Sequence, residues 1–392
     1  MLAAAHAPSY AIGELMLRKI GGISLCGRAL NKTAAKIGAE MVADRETRTA
    51  DYFAQPLPRQ HAQPSTPIPL ACVSTDGGRM QTRDQGRGPG VHHAHWRENK
   101  NALFLRMKST CFDDDPHPEL PPCFADPQRM KQLLSGVAEG LPPAAGEAAV
   151  VASGPERVVK DWRPERLFRT CLSSLADSDE FGRMMEVEPD ARGFYPAQKK
   201  AFVSDGLPYN WTIQQRHFRD FTPILDFVHA VERLYEAARC LHSDPRPRWT
   251  AYLRWARAVW SGDVQGVLAE LREHQPRLGL PPEDCEKTDP RKLFADAIGY
   301  FEHNAARMSY PEYRRQGLPT TSAHMESFVK EINARVKGTE KFWNDGPPAE
   351  AILQIRAAAL CDDDRLSTFL QKRPGHPFHP NVPRHASLST AT

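Results

Sequence analysis

Long apolar runs are missing from this chain of 392 residues. None approaches the roughly 18 residues that a membrane-spanning helix needs. The opening stretch MLAAAHAPSYAIGE lacks the basic start of a secretory signal. Both absences predict a soluble, cytoplasmic protein without a membrane partner. The eight cysteines form no CxxC pair and no zinc-finger spacing with histidines, so they read as free thiols of a reducing compartment. An excess of one charge is also missing: 51 Lys and Arg face 48 Asp and Glu, a net charge of +3. The pI of 8.4 falls short of the roughly 9 that would by itself suggest nucleic acid, so any basic surface has to be local. No Walker sequence appears, which excludes ATP-driven strand handling by that route. The acid runs Asp113–Asp115 and Asp362–Asp364 lack calcium-loop spacing and read as turns or helix ends.

What is plentiful is proline, 34 residues against 25 glycines. Five of them fall in AQPLPRQHAQPSTPIP (54–69), an extended linker by composition. Before it, 11–49 reads as two helices around a Gly21–Gly22 break, a small helical packing unit. After it, IPLACVSTDGGRM (68–80) is a β-prone run ending in a turn. Ala102–Met107 is the most strand-like part of a second β region, and 129–192 reads as helical, notably Arg166–Met185. KKAFVSDG (199–206) and PILDF (223–227) read as short strands, with helices over Thr212–Phe221 and Phe227–Leu241. From about 243 to 317 only helical signal survives. Helices follow over Ser322–Val336 and Ala349–Leu360, and the tail 373–392 reads as disordered.

Three acids stand out against this layout. Asp76 follows LACVST and precedes two glycines; Asp205 follows AFVS and precedes Gly206. A carboxylate at a strand end beside glycine lies on a sheet rim where a ligand can approach closely. Asp-Gly is also a common turn dipeptide, so neither acid is specific alone. The third is Glu326. At roughly 100° per residue, Met325, Phe328, Val329, Ile332 and Val336 form the buried stripe of its helix. Glu326, Lys330, Asn333 and Lys337 cluster along the shoulder, where a plain Glu–Lys pair is the alternative. Three converging carboxylates would repel one another unless cations sat between them. Oxygen-only ligands select Mg²⁺ or Mn²⁺. Two such ions about 4 Å apart can clamp the attacking and leaving oxygens of a phosphodiester.

At these residues the chain resembles the DDE transposases of bacterial insertion sequences, most closely the Kra-type family and more distantly the Mutator class. The resemblance rests on STDGGRMQTR (74–83), HWRENKNALFLRM (95–107), FVSDGLPYNW (202–211), ILDFVHAVERLYEAA (224–238) and the block 321–358 around Glu326. It implies an α/β, ribonuclease H-like mixed sheet with flanking helices, interrupted by an all-helical insertion. The implied layout is an N-terminal helical segment (1–53), a linker (54–69), a catalytic core in two parts (70–242 and 319–372), the insertion (243–318) and a tail (373–392). Asp76 would lie on the first strand and bridge two Mg²⁺ (or Mn²⁺) ions. Asp205, after the fourth strand, and Glu326, on a helix behind the insertion, would complete the two metal sites. Asp226 and His229 match the family's Asp/Cys-x-x-His signature and would be accessory to the active site, although the residues by themselves favour a capping Asp on a polar helix shoulder. The Glu block opens TTSAHMES where family members often show Ser-Gly, and members tend to be longer at the N-terminus.

The resemblance further implies DNA transposition on double-stranded DNA, both element ends and target, by a homodimer or larger assembly in a bacterial cytoplasm. A co-opted, non-catalytic DNA-binding descendant and a plain ribonuclease H-like nuclease are the alternatives. Candidate DNA contacts are Arg233, Arg254, Arg257, Lys330, Asn333 and Lys337. The segment 245–262 holds four Arg, three Trp and no acid, the composition of a phosphate-contacting and base-stacking surface. Trp249, Tyr252, Leu253, Ala256, Val259 and Trp260 also fit a buried helix stripe, and core packing is the favoured reading for the tryptophans. His92, His93 and His95 have no cysteine partner for a metal site and read as loop or strand residues.

Overall fold

The computed structural model describes residues 1–61, 63–83, 95–133 and 162–373. Its central element is β1 (Leu70–Arg83), preceded by helices α1 (Leu2–His6), α2 (Tyr10–Gly21) and α3 (Gly27–Ala54). The apolar run Leu70–Val73 is fully buried, as expected for a strand covered on both faces. β1 does not turn at Asp76-Gly77. It continues because β2 (Trp96–Lys108) pairs with it antiparallel along its length, Asp76 opposite Asn101 and Gly78 opposite Asn99. A side chain at Gly78 would meet Asn99 and Asn101 at 2.8–2.9 Å. The Gly-Gly pair therefore serves close approach across the sheet, and not a bend.

Next come α4 (Pro122–Ala125), α5 (Pro127–Leu133) and β3 (Glu165–Ser174), then α6 (Ser178–Ala191). The helical expectation for Arg166–Met185 is thus corrected. Its first half is an antiparallel edge strand on β2, and the helix starts only where the Asp177 carboxylate caps Glu180 N–H at 2.9 Å. β4 (Lys199–Ser204) and β5 (Thr222–Leu225) run parallel to β1, joined by α7 (Pro208–His217). That helix begins and ends about four residues earlier than its periodicity suggests, because Pro208 sits in its first turn. The sheet order is β3-β2-β1-β4-β5, mixed and open, with a short parallel strand β6 (Phe342–Asn344) on the far end of β1.

Phe227–Leu241 forms α8, followed by the helical stretch α9 (Pro245–Trp260), α10 (Val264–Leu278), α11 (Pro290–Asn304) and α12 (Tyr310–Arg315). α13 (Ala323–Val336), α14 (Pro347–Ala359) and α15 (Arg365–Lys372) complete the chain. On α9, Tyr252, Trp255, Ala256, Val259 and Trp260 are buried, in line with core packing for the tryptophans. The N-terminal helices pack on the core. Leu30, Ala34, Ile37 and Met41 of α3 share a buried cluster with Ile355 and Ala358 of α14. At Gly38 an added Cβ would lie 2.5 Å from the Ala351 carbonyl oxygen, so that crossing requires glycine. Asp115 is structural: it holds the fully buried Arg314 through Nε at 2.8 Å and Nη2 at 2.5 Å. No helix among the described residues is long and apolar enough to cross a membrane. His92, His93 and the tail from 374 lie outside the described residues.

Candidate active site

Register alone brings three aspartates level. Thr75 pairs with Ser204 across β1 and β4, and Ser204 with Leu225 across β4 and β5. The next residue on each path is an acid: Asp76, Asp205 and Asp226. Neighbouring strands lie about 4.8 Å apart, so the three backbones present a row of acids at one sheet edge. Two of these acids were singled out as strand-end residues by sequence. The third, Asp226, was read only as an accessory residue.

The hydrogen bonds sort the row. Asp226 is fully buried and both its oxygens are engaged. Oδ1 accepts from Val228 N–H (3.0 Å), capping α8; Oδ2 accepts from Ser322 Oγ (2.5 Å) and pairs with His229 Nδ1 (2.9 Å). Asp226 is therefore an orienter. Asp205 spends Oδ1 on Asn210 Nδ2 (2.9 Å), Leu207 N–H (3.1 Å) and Ser204 Oγ (3.2 Å). Asp76 accepts Gly77 N–H at Oδ1 (2.7 Å). Among the described residues, the Oδ2 atoms of Asp76 and Asp205 have no hydrogen-bond partner, and these atoms are the ones free to hold a cation.

Electrostatics report the same crowding. Burial, then the Asp205 charge, pushes the Asp76 carboxyl up to about 7. His229 is raised too, for a different reason. Burial alone would lower it, but the hydrogen bond to Asp226 and the charges of Asp226, Asp205 and Asp76 outweigh that and raise it to about 9. The imidazolium is thus the counter-ion inside the acid row. Glu326 is raised by burial and by Asp226, and lowered by Lys330 and His229. α13 brings it to the Asp226–His229 side of the cluster. Its pairing with Lys330 is loose, 4.0 Å. No group of three or more His, Cys, Asp or Glu side chains among the described residues is drawn close enough to hold an ion.

Other sequence-selected residues scatter. Lys330 is 80% exposed beside Glu326. Lys337 reaches over the exposed Trp96 ring at 6.0 Å, and both line an open cleft of about 700 Å³ with Asp76, Gly77, Gly78 and Asn333. Arg233 pairs with Glu236 at 2.9 Å and lies over the Tyr300 ring. Arg254 is ion-paired with Glu270 on α10, and Arg257 is exposed on the same helix. Neither bonds to the acid cluster, so their grouping with it is not seen in the fold. Sequence reasoning missed Asn210, Ser322 and Tyr300. The Tyr300 hydroxyl, from α11, donates to the Asp205 carbonyl at 2.8 Å. It packs where a Cβ on Gly206 (φ +93°) would come within 2.8 Å of its ring. The positive φ at Gly206 was the available signal; the tyrosine, 95 residues away in sequence, carried none.

No protein-family model matches the chain, and no curated protein matches it. The functional reading therefore rests on the residues and their geometry.

Proposed function

We propose that the chain is a DDE transposase with a ribonuclease H-like catalytic core, cutting and joining DNA at the ends of an insertion sequence. The observation that carries this reading is the level row Asp76–Asp205–Asp226 at the edge of three parallel strands, with His229 inside it and Glu326 beside it. Three further facts support it. Asp76 lies on the first strand, Asp205 directly follows the fourth, and Glu326 sits on the helix behind the all-helical stretch α9–α12. Buried acids whose ionisation is perturbed by one another cluster at functional sites.

The donor set fits Mg²⁺ or Mn²⁺: Asp76 and Asp205 each keep an unengaged carboxylate oxygen, Glu326 is loosely held, and no sulfur donor belongs to the set. Such ions, when bound, activate a water or 3′-hydroxyl and stabilise the departing oxygen of a phosphodiester. The protein's own groups have separate tasks. Asp76, with its free Oδ2, would hold an ion in its deprotonated form. Asn210 and Tyr300 fix the Asp205 turn. Asp226 holds His229 in its charged form, so the acid row stays assembled. Lys330, Asn333 and Lys337 line the approach along α13, where DNA phosphates need cations. In this reading the protein works as a dimer or larger assembly on double-stranded DNA.

The test is cleavage, in Mg²⁺, of DNA carrying the sequences that flank the gene. The wild type is expected to nick the strand ends and transfer them. Asp76→Asn, Asp205→Asn and Glu326→Gln are each expected to lower the rate by about 10² or more, as for loss of a ligand-holding or charge-stabilising group. Wild-type cleavage that persists in all three variants sinks the proposal.

A further inference from the structure

A second cluster of titratable side chains lies at the opposite end of the sheet. β4 runs from Lys199 to Ser204. At about 3.3 Å per residue, its start is roughly 20 Å from the acid row. There, His61 of the linker, Tyr195 before β4, Arg216 and His217 in the last turn of α7 and Arg219 and Asp220 just after it line an open cavity of about 550 Å³.

Two features make this more than a surface dent. Each histidine is oriented by a carboxylate at Nδ1: His61 by Asp190 at 2.9 Å and His217 by Glu186 at 2.6 Å. Glu186 is itself held by Arg59 at 3.2 Å and by the Tyr52 hydroxyl at 3.3 Å, and the His61 ring lies 4.1 Å from that of Tyr195. Each carboxylate fixes the orientation of its imidazole ring at the cavity wall. The second feature is charge. The lining carries two arginines against Asp220, and Asp220 is engaged by Lys200. Arg216 is tied only to Asp179, in a pair whose side chains are 59% and 75% exposed, worth little and easily exchanged. Arg219 bonds the Gln215 carbonyl through Nε at 2.9 Å. Guanidinium groups recognise phosphate by paired hydrogen bonds. A divalent metal is the poorer fit, because two guanidinium groups in the lining repel a cation.

We propose that this cavity binds a phosphate group, with Arg216 and Arg219 as the charged arms and the carboxylate-oriented His61 and His217 in its wall. The ligand is the phosphodiester backbone of nucleic acid or a free phosphate compound. The site is separate from the acid row and does not depend on the transposase reading.

The experiment uses the full chain in EDTA, so that cleavage plays no part. Filter binding of a short mixed-sequence duplex is measured across salt concentration, and binding of inorganic phosphate and of a mononucleotide by equilibrium dialysis. The proteins are wild type, R216Q/R219Q, R216K/R219K and H61Q/H217Q, each checked for an unchanged far-UV spectrum and melting temperature. Each lost phosphate contact lowers the slope of log affinity against log salt by about 0.9. R216Q/R219Q is therefore expected to flatten the slope by about 2. R216K/R219K should keep the slope but weaken binding, and H61Q/H217Q should weaken binding. Loss confined to phosphate and mononucleotide identifies a free phosphate compound as the ligand. Unchanged binding of all three probes in every variant overturns the proposal. The phosphate and mononucleotide measurements in EDTA involve no cleavage, so failure here and failure of the catalytic reading are told apart.

Discussion

Replacing Asp76 with asparagine is expected to make the metal-free protein more stable above neutrality, even as it removes activity. The wild-type carboxyl titrates near 7 in the fold, because it is buried and faces Asp205, but near 3.9 in the unfolded chain. The unfolded state therefore gives up its proton first. Stability falls as pH rises from about 4, and the loss levels off above about 7. The full amplitude is about 4 kcal/mol at 1.36 kcal/mol per unit, of which about 3 kcal/mol falls between pH 5 and pH 8. Asparagine keeps the size and the Oδ1 acceptor for Gly77 N–H, and has no proton to lose. The stability difference between variant and wild type should thus grow by about 3 kcal/mol from pH 5 to pH 8. For a chain of this length that corresponds to a melting shift of about 4 °C. Urea unfolding in EDTA at the two pH values measures it. Saturating Mg²⁺ at pH 8 should close the gap by stabilising only the wild type. A variant-minus-wild-type difference that stays flat across this pH range would refute the argument, because it would mean that Asp76 does not sit against Asp205 in a poorly solvated site.

His229 gives a slope of the same sign at higher pH. Its raised position near 9 contributes stability that is complete below about 6.5 and lost as pH climbs through 9, roughly 3 kcal/mol at most. His229→Gln should flatten that alkaline loss in urea melts between pH 6 and pH 10. Asp115→Ala leaves the buried Arg314 guanidinium without its carboxylate and should cost about 3 kcal/mol in urea unfolding; a loss below about 0.5 kcal/mol would mean water satisfies the arginine. Gly206→Ala forces a side chain into a left-handed backbone and into Tyr300. It should cost about 2 kcal/mol and lower cleavage more than Tyr300→Phe does, since the latter loses only one hydrogen bond to the Asp205 carbonyl.

The helices that carry the site were legible because their signal is local. Phe227–Leu241 and Ala323–Val336 each show an apolar stripe at helical spacing, and the structure buries the same side chains, Met325, Phe328, Ile332 and Val336 among them. Strands β1, β4 and β5 were legible as short apolar runs. Glu165–Ser174 was not, because an edge strand with polar and apolar residues mixed has no period that separates it from a helix. Asp76-Gly77 misled for a related reason: a turn dipeptide becomes strand when a partner strand lies alongside it.

The sequence by itself determined which chemistry is available: carboxylates beside glycines, a Glu on the shoulder of an amphipathic helix, and local basic segments inside a nearly neutral whole. Only the tertiary structure decided how the acids divide their work. Which residue is level with which depends on strand register, and that is set by the pairing of β1 with β4, 129 residues along the chain, and of β4 with β5. The same pairings make Asp226 an orienter with no free oxygen, put a charged His229 among the acids, and bring Tyr300 onto Asp205. No local pattern encodes these contacts, because the free energy that fixes them comes from the buried sheet and not from the residues themselves.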